Sequence, residues 1–504
     1  MASIYVIPHF HYDVAWIKTE EEYLEEVYRI IQKVIHIMDV DSQFKYTLDQ
    51  SYYLEKIKKE KPELFKAIAE RVAEGRIEIV NAGYTMLDLN LVSPYTIKKS
   101  FQLANEFAER EFGVQPKVAW MIDCFGHHGL MPKLAKDTGL NYYVFWRGMN
   151  NINLTQDFIW RGADGTEIIA HWLKYGYSLF PYLYKELTEA IKVCKPTTDI
   201  IFIPFGADFY LPEEKFIEQV HRNEEAKFAT PSEFFAQIEK QRDKLPVVEG
   251  EMLSDYCNFR GVYSSRPSYK RLFRSVEERL INYPQASDDD WKDLIYCGFH
   301  DLICGTGIDK TYPPAIEKLN KLKSKIPTKE VSIGKKTYKG EFFKNIFFQL
   351  SLDHGDLYHT KPEFRCYYQP EKLEINLLED GYIELDVDVN FRQPHHKLQL
   401  VIKSGIKEGN IIHHLGEHKI ERQLNKLYPL IGSFEYVDKE RTRGFQIYGD
   451  CFDYEVKDNG DIFLTLIRSV SLLSHGDAGP PIECPDALEQ GMYKFKIFVR
   501  QLGD

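Results

Sequence analysis

Residues 4–16 have the sequence IYVIPHFHYDVAW, in which an apolar run leads directly into polar side chains. The run Ile4–His11 predicts a β-strand, and the amphipathic segment Glu20–Met38 predicts a helix after it. Strands and helices alternate in this way as far as the fully apolar strand Ile200–Phe205. Such alternation is typical of a parallel sheet with helices outside it. We therefore expect an N-terminal α/β domain with a mostly parallel sheet, resembling a distorted β/α barrel.

Two local predictions concern this first domain. The pattern over Tyr53–Ala73 predicts one continuous helix. The runs Phe158–Trp160 and Glu167–Trp172 flank a turn at residues 163–165, which predicts a hairpin.

The pattern changes twice along the rest of the chain. Residues 271–283, 288–302 and 314–323 are helical in pattern with no strand between them, which predicts a three-helix bundle. Beyond residue 331 short strands replace the helices and predict an all-β sandwich. The expected domains are therefore the α/β domain over 1–265, the bundle over 266–330 and the β-sandwich over 331–504.

Composition narrows the class of protein. The chain has 504 residues and a net charge of −12, and an acidic surface disfavours nucleic acid and anionic membranes as partners. No run approaches the roughly 18 apolar residues of a membrane span, and the N-terminus lacks the pattern of a cleaved signal. The eight cysteines form no CxxC pair, which favours free thiols in a reducing compartment. We predict a cytoplasmic protein.

The first strand runs into a histidine and an aspartate that could bind a metal. At the strand period of two, His9, His11 and Asp13 point to one face. An imidazole and a carboxylate in this arrangement form half of a site for a divalent cation. The alternative is a pair of hydrogen-bonded histidines beneath the sheet.

Two carboxylates follow other apolar strands, at the sheet edge where α/β proteins carry their chemistry. Asp123 comes after Trp120-Met121-Ile122, and Asp208 comes after Phe205-Gly206-Ala207. Cleavage of a glycosidic bond requires one ionised and one protonated carboxyl group. For Asp123 a helix N-cap is the competing interpretation. In the helical segment, His300 could supply a further metal ligand or cap a helix.

Five motifs together resemble the α-mannosidases of glycoside hydrolase family 38, and they cover residues 1–310 in the order of that family. They are HFHYDVAW (9–16), WMIDCFGHH (120–128), FGADF (205–209), FRGVYSSRPSYKR (259–271) and FHDLICGTGID (299–309). The resemblance implies a retaining, zinc-dependent α-mannosidase that acts through a covalent glycosyl-enzyme.

The resemblance also assigns roles to individual residues. It implies one Zn²⁺ per chain, with Co²⁺ or Mn²⁺ as alternatives, bound by His11, Asp13, Asp123 and His300. Asp123 matches the nucleophile and Asp208 the general acid/base. The positions that match substrate contacts are Trp16, Arg147, Tyr177 and Asp301.

Several alternatives remain open at this stage. A metal-dependent hydrolase of the carbohydrate deacetylase type would use the same ligands without needing Asp208. A non-catalytic sugar-binding homologue or subunit is the third interpretation. The expected partner is an α-mannoside oligosaccharide or a small mannoside. Because the chain is short for this family, a homo-oligomer or a partner subunit could complete it.

Overall fold

The computed structural model describes residues 3–149, 151, 153–253, 259–327, 333–338 and 345–503. The chain divides into two compact units. Unit 1 comprises Met1–Leu89, Pro94–Asn258 and Ser287–His300, and unit 2 comprises Asn90–Ser93, Phe259–Ala286 and Asp301–Asp504. The predicted domain boundary at 330–331 lies outside the described residues, and the three-domain division stays a prediction.

The strands of unit 1 are short, and most of their residues are buried. They are β1 (Ser3–Pro8), β2 (Tyr46–Leu48), β3 (Ile77–Ile79), β4 (Val118–Met121), β5 (Tyr142–Phe145), β6 (Asp157–Arg161), β7 (Glu167–Trp172), β8 (Ile200–Phe205), β9 (Ala226–Phe228) and β10 (Val247–Glu249).

Most of the α-helices are amphipathic, with one face buried, whereas α11 is buried at every residue. They are α1 (Glu20–Val40), α2 (Ser51–Glu60), α3 (Pro62–Ala73), α4 (Pro94–Phe112), α5 (Met131–Asp137), α6 (Leu187–Val193), α7 (Glu214–Arg222), α8 (Pro231–Ile238), α9 (Pro267–Ile281), α10 (Asp288–Cys297), α11 (His300–Cys304) and α12 (Tyr312–Lys325).

Parallel pairing dominates the sheets of unit 1. β1 lies between β8 and β9 and is parallel to both. β2 and β3 form a parallel pair, and a third sheet has the order β10-β6-β7-β5-β4. Among the described strands of this unit, only β6 and β7 pair antiparallel. The predicted α/β class with a mostly parallel sheet is confirmed, whereas closure into a barrel stays a prediction.

Of the two local predictions for the first domain, the hairpin is confirmed and the continuous helix is wrong. β6 and β7 form the hairpin expected around residues 163–165, with Gly165 at a φ of +85° in the turn. The continuous helix over Tyr53–Ala73 is wrong, because the structure divides it into α2 and α3. Lys61 leaves the helical conformation, with φ −136° and ψ 59°, and Pro62 begins the next helix. A proline favours an extended residue before it and lacks the amide hydrogen that a continuous helix would use.

Unit 2 is dominated by antiparallel sheets. An eight-stranded sheet has the order β11-β14-β15-β24-β21-β20-β17-β18, and a six-stranded sheet has the order β13-β12-β16-β23-β22-β19. Their strands are β11 (Lys335–Thr337), β12 (Ile346–Asp353), β13 (Pro362–Tyr368), β14 (Lys372–Leu378), β15 (Ile383–Phe391), β16 (His396–Lys403), β17 (Asn410–Leu415), β18 (His418–Arg422), β19 (Leu427–Pro429), β20 (Ser433–Val437), β21 (Gly444–Gly449), β22 (Asp453–Val456), β23 (Asp461–Ser469) and β24 (Gly491–Leu502). The all-β character of this region is confirmed, and the packing of the two sheets as a sandwich stays a prediction.

An arginine lies at the centre of unit 2. Arg468 of β23 is fully buried, and its Nε lies 2.7 Å from Asp353 Oδ2. Its other nitrogens donate to Ser265 Oγ at 2.6 Å and to the carbonyl oxygens of Asp356 and His359. A buried guanidinium needs such partners, because an unpaired charge inside a protein is strongly destabilising.

The helices expected to form one bundle are shared between the two units. α10 belongs to unit 1, where it packs against α4, whereas α9 packs against α12 in unit 2. A separate bundle over 266–330 therefore stays a prediction.

Two chain-wide expectations concern membranes and cysteines. Within the described ranges, no helix combines the length and the apolar character needed to cross a lipid bilayer. The seven described cysteines form no disulfide with one another.

Candidate metal centre and active site

His11 and Asp13 lie in the loop that leaves β1. The strand predicted to continue through His11 is wrong at its end, because β1 stops at Pro8. His11 instead makes an isolated parallel bridge with Asp208: the His11 amide donates to Ala207 O, and the Phe209 amide donates to His11 O, both at 3.1 Å. These backbone bonds fix the loop beside the end of β8.

Asp123 and His300 come from distant parts of the sequence. Asp123 lies two residues beyond the end of β4. His300 begins α11, and its backbone amide donates to Met86 O at 3.1 Å. An antiparallel bridge between Leu87 and Phe299 holds the same segments together.

The structure brings His11, Asp13, Asp123 and His300 together. His11 Nε2 lies 3.0 Å from Asp13 Oδ1 and 3.6 Å from Asp123 Oδ2. His300 Nε2 lies 3.5 Å from Asp13 Oδ1 and 3.3 Å from Asp123 Oδ2. All four residues are buried, and one ligand atom from each lies within 4.8 Å of the others. A buried site that could hold a metal ion is therefore present.

The hydrogen bonding of His300 fits a cation at this point. Its Nδ1 lies 3.0 Å from Met86 O, and a carbonyl oxygen can only accept, so Nδ1 carries the proton. In the neutral imidazole, Nε2 then presents a lone pair toward the carboxylates of Asp13 and Asp123. Lone pairs and carboxylate oxygens repel one another unless a cation lies among them. A set of two nitrogens and two carboxylates suits Zn²⁺ and related divalent ions.

The electrostatic environment of His11 also favours a bound cation. Burial alone would lower its pKa, but the carboxylates of Asp13, Asp123 and Asp208 outweigh that effect and raise the pKa of His11 to about 9. Carboxylates that favour a positive charge on His11 would also stabilise a cation bound among them.

Asp123 is held in its ionised form. Arg147 donates to both the backbone carbonyl and the carboxylate of Asp123, and its guanidinium lies over the ring of Trp146 at 4.0 Å. Burial favours the neutral acid, but Arg147 together with the nearby imidazoles holds the pKa of Asp123 well below its ordinary value. Arg147, predicted to contact substrate, here contacts the predicted nucleophile.

Asp208 has the opposite environment. The buried Tyr177 donates its hydroxyl hydrogen to Asp208 Oδ1 at 2.6 Å. Asp208 is accessible to solvent, but the surrounding protein and the Asp13 carboxylate favour its neutral form and raise its pKa to about 6. A carboxyl group of this kind can keep a proton near neutral pH and remain within reach of a ligand.

Three other predicted residues lie outside the cluster. Trp16 is half-buried in the loop between β1 and α1. Asp301 belongs to unit 2, where it accepts a hydrogen bond from Thr306 Oγ1 at 2.5 Å. His9 is predicted to share a face with His11; its Nδ1 lies 3.1 Å from Ile7 O, both rings lie near Tyr177, and burial lowers the pKa of His9 to about 4. Substrate contact by Trp16 and Asp301 stays a prediction.

The sequence does not predict one buried polar residue beside the cluster. Gln50 is fully buried and hydrogen bonds to Tyr12 O and to the Met86 amide, both at 2.9 Å. A signal for it does exist, because Gln50 comes two residues after the end of β2. Polar residues at that edge of a parallel sheet are candidates for functional roles.

Comparisons with known proteins identify a family for the N-terminal half of the chain. Residues 1–251 match the model of the glycosyl hydrolases family 38 N-terminal domain. This N-terminal half of the chain belongs to glycosyl hydrolase family 38. His11, Asp13, Asp123 and Asp208 lie within the matched residues of the family 38 domain, whereas His300 lies beyond them.

Similar curated proteins have α-mannosidase names. The chain is 25% identical to alpha-mannosidase G of Dictyostelium discoideum, over 61% of this chain and 31% of that protein. It is 22% identical to an alpha-mannosidase of Saccharomyces cerevisiae, over 62% of this chain and 32% of the relative. The matched part of the chain thus spans about a third of the length of these two relatives.

Solved structures share the fold. The structure of an alpha-mannosidase from Enterococcus faecalis V583 has a TM-score of 0.82 and 14% identity, and the match covers 100% of this chain and 87% of that chain. A protein in glycosyl hydrolase family 38 from Enterococcus faecalis has a TM-score of 0.74 and 13% identity, and the match covers 100% of this chain and 86% of that chain. The shared fold therefore includes both the α/β and the all-β regions of this chain.

Proposed function

We propose that this chain is a retaining, zinc-dependent α-mannosidase that hydrolyses terminal α-linked mannose. The observation that carries the proposal is the difference between the partners of the two catalytic candidates. Asp123 is paired with the guanidinium of Arg147, whereas Asp208 is bonded to the neutral hydroxyl of Tyr177. Carboxyl groups in such different environments are suited to the two roles that glycoside hydrolysis requires.

The proposed ligands of the metal are His11, Asp13, Asp123 and His300, whose side chains converge in the structure. A divalent cation held by these residues would supply a Lewis acid for the hydroxyl groups of the sugar. One ion per chain is expected, and Co²⁺ or Mn²⁺ could replace Zn²⁺.

Asp123 acts as the nucleophile. Arg147 and the cluster keep it ionised, so a carboxylate oxygen is available to attack the anomeric carbon. The new bond joins that carbon to Asp123 as the glycosidic carbon–oxygen bond breaks, and the electron pair of the broken bond goes to the leaving oxygen.

Asp208 acts as the general acid and then as the general base. In the first step its proton goes to the leaving oxygen, and Tyr177 stabilises the carboxylate that results. In the second step Asp208 takes a proton from water, whose oxygen attacks the anomeric carbon and releases Asp123. Two displacements at one carbon retain its configuration.

The proposed substrate is an α-mannoside oligosaccharide or a small mannoside. A neutral sugar is compatible with the acidic chain, whose net charge is −12. Trp16 is proposed to form an aromatic wall for the sugar, and Asp301 to bind its hydroxyls. We also propose that a second copy of this chain or a partner subunit completes the site.

Hydrolysis of an aryl α-mannoside tests the proposal directly. The protein should release the phenol, lose activity after exhaustive chelation and regain it when Zn²⁺, Co²⁺ or Mn²⁺ is added. Asp123→Asn should be inactive, whereas Asp164→Asn, in the exposed turn of the β6–β7 hairpin, should retain the wild-type rate. A fluorinated mannoside should leave a covalent adduct on Asp123.

Three outcomes would contradict parts of this proposal. Activity that survives chelation excludes the metal. Release of acetate from an N-acetylated sugar, with no cleavage of mannosides, favours the deacetylase-type reaction. Mannose binding without turnover in zinc-replete protein indicates a sugar-binding homologue.

A further inference from the structure

Gln50 links the two parts of the chain that supply the candidate metal ligands. Its Nε2 donates to Tyr12 O at 2.9 Å, and Tyr12 lies between His11 and Asp13 in the sequence. Its Oε1 accepts from the Met86 amide at 2.9 Å. The carbonyl of the same Met86 accepts from both the backbone amide and Nδ1 of His300.

The orientation of the Gln50 amide is unambiguous. Tyr12 O can only accept, and the Met86 amide can only donate, so each end of the side-chain amide has one permitted partner. An ionised glutamate in this position could accept from Met86 but could not donate to Tyr12. Gln50, Tyr12 and Met86 are each fully buried, so these bonds do not compete with bulk solvent.

The contacts of Gln50 bear on two properties of the cluster. The bond to Tyr12 fixes the backbone between His11 and Asp13. The bond to Met86 fixes the peptide whose carbonyl sets the tautomer of His300, and that tautomer leaves Nε2 available as a ligand. Residues that orient ligands from behind in this way typically change metal affinity by about 10–100-fold when they are replaced.

We propose that Gln50 is a positioning residue for the metal centre, which holds the His11–Asp13 loop and the His300 imidazole in one binding geometry. This inference rests on the proposed metal site. It concerns the affinity and coordination of the ion rather than the chemical steps, since Gln50 itself bonds to backbone groups.

The test compares divalent-ion binding by the full chain and two variants, measured on metal-free protein. Gln50→Met keeps the approximate volume and removes both hydrogen bonds. Gln156→Met is a matched control: Gln156 is also buried in unit 1, where its Oε1 accepts from the Lys195 amide at 3.0 Å and its Nε2 donates to Trp172 O at 3.5 Å. Both variants therefore lose two side-chain bonds to backbone groups, although the Gln156 bond to Trp172 is longer than either bond of Gln50.

Zn²⁺ affinity is measured by competition with a chromophoric chelator, and coordination is measured by the visible spectrum of bound Co²⁺. We expect Gln50→Met to bind Zn²⁺ about 10–100-fold more weakly than wild type and to change the Co²⁺ spectrum. Gln156→Met should match the wild type in both. If Gln50→Met does not fold, Zn²⁺ affinity and the Co²⁺ spectrum are measured on Gln50→Glu, which can keep the bond to Met86.

The outcomes separate this inference from the function on which it rests. Wild-type affinity and an unchanged spectrum in the Gln50 variants would overturn the role of Gln50 while leaving the metal site intact. Equal weakening in the Gln156 control would also overturn it, because a general loss of stability would then explain the effect. Failure of the wild type to bind any divalent ion would refute the proposed metal site itself.

Discussion

Replacing Tyr177 with phenylalanine should move the alkaline limb of the pH profile to higher pH. If Asp208 must be protonated to donate to the leaving oxygen, kcat/KM falls as the pH rises through the pKa of Asp208, which lies at about 6. The Tyr177 hydroxyl stabilises the ionised carboxylate and thereby lowers that pKa. Tyr177→Phe removes the 2.6 Å hydrogen bond and keeps the ring.

The size of the change follows from the strength of the lost bond. A hydrogen bond to an ionised acceptor is worth about 1.5–3 kcal/mol and one to a neutral acceptor about 0.5–1.5 kcal/mol. The difference, about 1–1.5 kcal/mol, corresponds to roughly one pH unit. Asp208 is exposed, so water replaces part of the lost interaction. We therefore expect the limb to rise by about 0.5–1 pH unit.

The assay is kcat/KM for an aryl α-mannoside across the pH range in which the protein stays folded. The acid limb, which depends on Asp123, should stay in place, so the two limbs move apart. An alkaline limb that is unchanged or shifts to lower pH in Tyr177→Phe would refute the assignment of Asp208 as the acid. A matching shift of both limbs would indicate a change in the whole cluster instead.

Three further predictions concern the reacting groups and the core of unit 2. Asp208→Asn should slow hydrolysis of an alkyl mannoside about 10²–10⁴-fold but affect a dinitrophenyl mannoside much less, and equal losses in kcat/KM would contradict its role as proton donor. Arg147→Met should move the acid limb of the pH profile to higher pH, because Asp123 acts when ionised and the guanidinium lowers the pKa of Asp123. An acid limb that stays in place would argue against the pairing of Arg147 with Asp123. Arg468→Leu should reduce the free energy of unfolding, measured by urea denaturation, by about 3–5 kcal/mol, because it leaves the Asp353 carboxylate buried without its guanidinium partner. A loss below about 1 kcal/mol would show that the pair contributes little to stability.

The fold could be predicted from the sequence wherever local pattern determines structure. Alternating strands and helices predict the parallel sheet, and the predicted strand Ile200–Phe205 has the same bounds as β8. The sequence pattern does not predict the structure where a single residue or a contact with a distant part of the chain determines it. The helix over 53–73 has continuous apolar spacing, yet Pro62 divides it. Similar amphipathic spacing in α9 and α10 cannot show that they belong to different units.

The candidate site could be predicted only in part. His11, Asp13, Asp123 and Asp208 all follow strands closely, and the position after a strand is readable from sequence. The position of His300 cannot be predicted in this way. It depends on the Leu87–Phe299 bridge and on Met86, which lies more than 200 residues earlier in the chain. The local pattern leaves metal ligand and helix cap both open for His300, and only the family resemblance favours the ligand.

Sheet order explains which side chains of the site become partners. β4 and β5 are neighbouring parallel strands, and Asp123 and Arg147 each lie two residues beyond the ends of these strands. β1 and β8 are also parallel neighbours, and the bridge between His11 and Asp208 lies three residues beyond both ends. Side chains at equal distances past adjacent strands come close together whatever their separation in sequence. The lowered pKa of Asp123 and the raised pKa of Asp208 therefore depend on which strands are adjacent. A circularly permuted chain that keeps this sheet order should keep both pairings.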